Sequence, residues 1–370
     1  MKKKIWLYLS IALILAGIAG TVNIIMHGEH AMGTSNGIPW GILIAGYEYF
    51  VGISTGLLLV ASLGYVFNQE PIKKVGKAAV MMAVFTMFSG FAVLLVELGN
   101  PLHFFYYLIS PNIKSPIWWM APLYGIYLAM LVILLFHIIR GNVQQVKMFS
   151  ILTLISAVVA LVNIGFLFGF LNTRAYWNGP LSPVYFVVSA FMSGVALFAV
   201  ITYIQHKTSA LEEEVFLAVR KIFIISIAAV ALIYTGKIMT ALYGAASGKY
   251  EAVHALLSGP LSFNFYFFEV VLGMIVPLAL LLTAKGSAPI KLLAAGISSL
   301  IGIFFMRVDM VIAGQISELH VIYSTVKEIV YHTYSATWAE WALIAGAAGI
   351  TLFLYMLRDQ IEKSLKGHAR

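Results

Sequence analysis

Cysteine is absent from this 370-residue sequence. That excludes disulfides, thiolate zinc sites and cysteine-held iron–sulfur clusters, and it leaves the redox compartment unreadable from thiol usage. Charge is scarce as well. Asp, Glu, Lys and Arg make up 10% of the chain, against about 25% in a soluble globular domain. Such a sequence cannot cover a water-facing surface, which argues against a soluble enzyme and against a nucleic-acid binder. What fills the chain is apolar: 61% of residues are hydrophobic and the mean hydropathy is +0.93. The formal net charge of +8 needs no polyanionic partner, because membrane proteins concentrate Lys and Arg in cytoplasmic loops.

A bilayer-crossing helix takes about 20 mostly apolar residues. Ten stretches qualify: 5–27, 40–67, 75–99, 116–139, 147–171, 180–205, 218–246, 260–284, 289–313 and 338–358. The first follows Met1-Lys2-Lys3-Lys4; its length and the lack of a small-residue cleavage site make it a retained anchor rather than a signal peptide. The fold class expected is therefore all-α, a single polytopic membrane domain over 1–370. Basic residues sort by side. Seventeen fall in one set of loops and tails and four (Lys114, Arg174, Lys249, Lys327) in the alternating set, with Lys237 and Arg307 inside spans. The positive-inside rule then puts both termini in the cytoplasm. The loops on the other side are longer and richer in Pro, Gly and aromatic residues, the pattern of a recognition face.

Ionisable groups inside a span cost a few kcal/mol and mark function by default. Glu48, Glu97, Lys237, Glu269, Arg307, Asp309 and Glu340 lie within or at the ends of the stretches above. At 1.5 Å per residue, Glu48 and Lys237 sit about 12–13 Å from the outer ends of their spans, Glu269 about 13 Å and Arg307 about 9 Å. All seven fall in the outer half, which predicts a polar cavity opening outward above a mostly dry floor. The plainer reading of Glu97, Asp309 and Glu340, near helix ends, is a structural pair or a snorkelling side chain. Asn23 and His27, four apart on the first span, share one face; Tyr124 and Tyr127 sit two to three turns into the fourth. An amide, an imidazole and a phenol can all hydrogen-bond quinone carbonyls, and His also relays protons.

Of nine histidines, only His27 and His137 lie in or at the end of a span, at opposite faces. Paired axial ligands for a transmembrane haem are missing from that distribution. An electron-handling protein of this kind would use a diffusible ligand or a partner.

Several segments resemble the NrfD/PsrC group of quinone-reactive membrane subunits. Asn36-Gly37-Ile38-Pro39-Trp40-Gly41, followed by Glu48 and Gly52-x-Ser54-x-Gly56, is similar to the opening of that family's first conserved helix. Glu97-Leu98-Gly99-Asn100-Pro101 resembles its acidic-Leu-Gly-x-Pro turn, with Asn100 where the family often has Arg. Ser115-Pro116-Ile117-Trp118-Trp119, Phe268-Glu269, Arg307 and Trp338-Ala339-Glu340 also match, in order along nearly the whole chain. The ten-span length resembles the hydrogenase-type and sulfate-reducer branch, whereas Asn23, His27 and Tyr124 resemble the quinone pocket of the shorter branch.

The resemblance implies two four-helix bundles related as parallel repeats, 40–171 and 180–313, flanked by the first and last spans. It further implies a quinone-binding subunit of a respiratory oxidoreductase, not active alone. Menaquinone or ubiquinone would be an exchangeable substrate, and no haem, iron–sulfur cluster or metal would be intrinsic to the chain. Its partners would be the bilayer, an extracytoplasmic ferredoxin-like iron–sulfur subunit or multihaem cytochrome c, and a molybdopterin or hydrogenase catalytic subunit. Glu48, Glu97, Glu269 and His27 would exchange protons, Arg307 or Lys237 would stabilise an anionic intermediate, and Asn23, His27, Tyr124 and Lys237 would hold the quinone. Two alternatives stay open: a quinone-coupled proton-translocating subunit, and a secondary transporter, whose midplane site also uses buried charge. The 314–337 loop has helix-like apolar spacing and is expected to form an amphipathic surface helix that either docks a partner or rests on the lipid headgroups.

Overall fold

The computed structural model describes residues 2–98, 106, 109–244, 246–317 and 330–367. Ten helices in it are long and apolar enough to cross a membrane. In chain order they are α1 (Lys2–His27), α2 (Ile42–Tyr65), α3 (Glu70–Glu97), α4 (Pro116–Arg140), α5 (Val143–Gly169), α6 (Leu181–Ser209), α7 (Glu213–Gly244), α9, α10 (Pro289–Ala313) and α11 (Trp338–Gly367). A short helix, α8 (Lys249–Leu257), lies between α7 and α9. In α9 the segment Asn264–Ile275 is a π-helix and Val276–Leu282 continues it as α-helix. The described residues form no sheet; Ser317 and Tyr331 make one isolated bridge.

Local chemistry sets the ends. Pro71, Pro116 and Pro289 stand in the first turns of α3, α4 and α10, where a missing N–H costs no helical hydrogen bond. Gly141, at φ 71°, ends α4 in the left-handed conformation that glycine adopts without strain. The Asn142 side chain then accepts from Gln145 N at 3.4 Å to start α5. All ten apolar stretches are helices, but several run further than hydropathy marks them. α7 begins at Glu213 and α11 continues to Gly367, where Glu362 takes Lys77 at 3.0 Å and Lys366 at 2.8 Å. Those turns leave the apolar window while remaining helical, so a hydropathy count stops short of them.

Burial grades the helices from centre to rim. The apolar window of α2 is 83% buried within the protein and that of α1 only 22%, so α2 is the hub and α1 the flank. α2 packs on α3, α5, α6 and α10, while α1 runs along α11. At the hub, a Cβ on Gly56 of α2 would strike the Ala190 carbonyl of α6, and one on Gly194 would strike the Gly56 backbone. Glycine at both places lets the two backbones touch. Gly17 faces Gly346 in the same manner, a Cβ there lying 2.7 Å from the Gly346 Cα. Because Ser10 and Leu13 also meet Gly349, α1 and α11 are antiparallel and the two termini share one face. We call it the termini face and the opposite one the distal face.

The described ends of the 314–337 segment are extended or turned, with His332 N donating to Ile316 O at 2.8 Å. The middle of the expected amphipathic helix, 318–329, lies outside the described residues, as does Gly99-Asn100-Pro101 of the turn after α3.

Candidate functional site

Glu48 and Gly52, one turn apart on α2, present one face to α10 and α6. Gly52 has no side chain, and the Arg307 guanidinium of α10 fills the space, its Nη2 3.5 Å from where a Cβ would stand. From there Arg307 donates to Ser189 Oγ at 2.8 Å and lies over the Phe186 and Tyr185 rings, 4.9 and 5.4 Å from their centroids. Its Nε and Nη1 have no hydrogen-bond partner among the described residues, and neither oxygen of Glu48 has one. Arg307 is nonetheless within electrostatic reach of Glu48 and of Tyr124. The Tyr124 hydroxyl is also without a described partner, whereas Tyr127 is engaged, 3.0 Å from Ser54 Oγ.

A second buried set adjoins the first. In the π-helical part of α9, Glu269 faces Asp309 of α10, and Asp309 Oδ1 accepts from Asn264 Nδ2 at 3.4 Å. Arg307 does not neutralise Asp309: residues two apart on a helix point to nearly opposite sides, so Asp309 meets α9 while Arg307 meets α2 and α6. The Tyr234 hydroxyl lies near Glu269 without meeting hydrogen-bond geometry. Lys237 of α7 reaches in from the far side, 3.2 Å from Met310 Sδ and 3.9 Å above the Tyr176 ring. Tyr185 joins the sets, with the Arg307 guanidinium 5.4 Å and the Lys237 ammonium 5.5 Å from its ring centroid. Tyr176, in the loop before α6, is held by burial, and then by Tyr185 beside it, well above the usual phenol range.

The distal loops roof this region. Trp177 donates to Met310 O at 2.7 Å and stacks on Trp40 with centroids 5.4 Å apart. Gln315 bridges the same turn, accepting from Trp40 N at 3.0 Å and donating to Trp40 O at 2.9 Å. Among the described residues, the packing therefore forms no outward-opening cavity over Glu48, Glu269 and Arg307. Glu48, Glu269 and Arg307 are 2%, 0% and 1% exposed, because aromatic loops fold back over the helix ends.

Glu48, Tyr124, Lys237, Glu269 and Arg307 are thus brought into one buried region. The remaining expected residues are not part of it. His27 is exposed on the flanking α1, its Nδ1 3.0 Å from the Asn23 backbone carbonyl, and Asn23 lies with it. Glu97, at the end of α3, is instead within reach of Glu340 and Tyr334. Glu340 is a fastening group: it accepts from Gly33 N and Thr337 N at 2.8 Å and from the Tyr334 hydroxyl at 2.9 Å. Burial, and then the Glu340 charge, hold the Tyr334 phenol well above its usual range, so it stays a donor. Sequence reasoning missed Tyr185, Ser189, Tyr234 and Tyr176. The aromatic run of the 172–179 loop was the one available signal.

Chemically, the region offers cationic and phenolic donors (Arg307, Lys237, Tyr124) beside carboxyl groups (Glu48, Glu269, Asp309) in a site screened from water. Side by side, such groups can bind a carbonyl oxygen and pass a proton. Comparison with known proteins gives consistent results. Residues 30–318 match the family described as "Polysulphide reductase, NrfD". The chain is similar to a selenate reductase subunit of Mesobacillus selenatarsenatis, 23% identical over 98% of this chain and 94% of that one. It is also similar to the "Hdr-like menaquinol oxidoreductase integral membrane subunit" of Archaeoglobus fulgidus, 25% identical over 95% and 92%. "Protein NrfD" of Escherichia coli is 25% identical over 76% of this chain and 96% of its own.

Proposed function

Since the chain belongs to the polysulphide reductase NrfD family, we propose that it is the quinone-interacting membrane subunit of a respiratory oxidoreductase complex. One observation carries this reading: where α2, α6 and α10 cross and Tyr124 of α4 meets α2, Arg307, Tyr124 and Glu48 bring together buried donors and acceptors with no described hydrogen-bond partner. The set fits a quinone headgroup, whose carbonyls need donors and whose reduced hydroxyls need acceptors. Arg307 and Tyr124 hold the carbonyl oxygens, Glu48 takes or gives one proton, and Glu269 with Asp309 takes or gives the other. Tyr185 keeps the two sets in register. Asn23, His27 and Glu97 are left outside the site, and Lys237 stands at its edge. The name of the Archaeoglobus relative favours a menaquinone-type substrate.

The distal face is extracytoplasmic in this reading, supported by the crowding of Lys and Arg on the termini face. Electrons then pass between the quinone and an extracytoplasmic iron–sulfur or multihaem partner docked on the distal loops, and protons exchange on that side. The contacts of α2 to α5 with one another, and of α6, α7, α9 and α10 with one another, support two four-helix bundles flanked by α1 and α11. Gly56 and Gly194, at corresponding places in the two, mark their crossing.

A photoreactive quinone analogue tests the site. Applied to the complex isolated from native membranes, it should label peptides of α2, α4, α6 or α10, with excess menaquinone protecting them. Labelling confined to α1, around His27, would move the site away from Arg307 and refute this assignment.

A further inference from the structure

Lys237 and Lys249 line one pocket of about 190 Å³ at the distal ends of α6 and α7. Lys237 is 9% exposed. Its ammonium carries three donors, yet among the described residues it reaches only the Met310 thioether and the Tyr176 and Tyr185 rings. The side chain of Lys249, half-buried at the start of α8, makes no hydrogen bond or ion pair with any described residue. Its Nζ lies 3.9 Å from where a Cβ on Gly179 would stand. The amide and aliphatic hydroxyl donors of the wall are already occupied. Asn178 donates to Gly169 O and Asn172 Oδ1, Ser182 to Trp177 O, and Thr240 to Gly236 O. No Asp or Glu lines the pocket.

Two ammonium groups around one mostly apolar hollow repel each other and lose hydration, and neither makes an ion pair with a described residue, Glu269 acting on Lys237 only through space. An oxyanion between them relieves both costs. Lysine acts toward such a ligand as a point charge with rotatable donors, and it is a common phosphate partner. The outward face of α7 is lipid-like in character: Leu232 is 75% and Tyr243 82% exposed. Lys237 lies about 10 Å below the end of α7 at Gly244, close to headgroup depth.

We propose that this pocket binds a phosphate-class oxyanion, the headgroup of an anionic phospholipid or free phosphate, held between Lys237 and Lys249. The site shares Lys237 with the edge of the proposed quinone region but involves neither Arg307 nor Glu48, and lipid or phosphate retention reads it separately from quinol turnover. The test uses the purified full chain in nanodiscs of phosphatidylcholine with and without phosphatidylglycerol, and native mass spectrometry to count the lipid retained. Inorganic phosphate is titrated separately by calorimetry. Phosphatidylglycerol should be retained over phosphatidylcholine, and Lys249→Ala and Lys237→Met should each lower retention by about ten- to a hundredfold, the effect of losing a charge-assisted hydrogen bond. Phosphate binding with the same lysine dependence but no lipid preference would assign the site to the free anion. Lys249→Ala alters a half-buried loop-end side chain and keeps the test open should Lys237→Met fail to assemble. Binding of neither probe, or equal binding by wild type and both variants, would overturn the proposal.

Discussion

Arg307 is the side chain on which most of the buried region converges, and its two arms face different demands. Nη2 is fixed by Ser189 at 2.8 Å, while Nε and Nη1 remain available. Lysine would keep the charge but lose the planar fork that serves both directions. Arg307→Lys should therefore assemble and slow quinol-dependent turnover by at least about tenfold, read per assembled complex in membranes; unchanged turnover would assign Arg307 a packing role. Glu340 gives the contrasting case. Its three accepted hydrogen bonds tie the loop before α2 to the start of α11, so Glu340→Gln should cost about 1–3 kcal/mol of stability. A thermal melt should show the loss while turnover of the assembled fraction stays near wild type. Sequence reading found Glu48, Lys237, Glu269 and Arg307 because ionisable residues inside apolar stretches are rare. It placed His27 with them because an i, i+4 relation gives a shared face but not the direction in which that face points. Tyr185 and Ser189 left no signal, since an aromatic and a hydroxyl in an apolar helix look like any core residue.

Among the elements, α9 departs most from what periodicity suggests. A π-helix is wider than an α-helix and is commonly found at functional sites; here it carries Glu269. Ser298 and Ser299 of α10 donate to the carbonyls of Leu272 and Gly273 at 2.7 and 3.1 Å, while Phe268 stacks on Phe305 with centroids 3.7 Å apart. A Cβ on Gly302 would strike Gly273 and the Phe268 carbonyl, so only glycine allows α10 to approach this closely. Gly302→Ala should cost about 1–3 kcal/mol through overpacking and lower the assembled yield, measurable by fluorescence-detected gel filtration. Wild-type yield and melting would show that α9 and α10 separate readily. All ten spans were legible as helices because length and hydropathy specify them. The π-helical stretch was not, because the contacts it makes, of Gly273 with Gly302 and of two carbonyls with the two serines, join residues 26 or more apart in sequence. The outward cavity failed for a related reason: hydropathy cannot show the loops of Trp40 and Trp177 folding back over the helix ends.

At the scale of the whole molecule, charge and topology make one joint prediction. The chain lacks cysteine, so single cysteines report sidedness cleanly. Ser258→Cys, exposed beyond α8, should react with an impermeant maleimide in intact spheroplasts, and Lys366→Cys only after permeabilisation. The reverse pattern would invert the molecule and put the buried carboxyls on the cytoplasmic side. The central claim is that the buried carboxyls exchange the protons of a quinone held by Arg307. Its most direct test is quinol-dependent electron transfer per assembled complex in Glu48→Gln and Glu269→Gln, alongside the quinone retained. Both substitutions keep shape and remove the exchangeable proton. The account predicts normal assembly, retained quinone and turnover slowed by about 10²–10⁴-fold, the range for losing a general base. Wild-type turnover in both variants would contradict it and leave these carboxyls as structural groups.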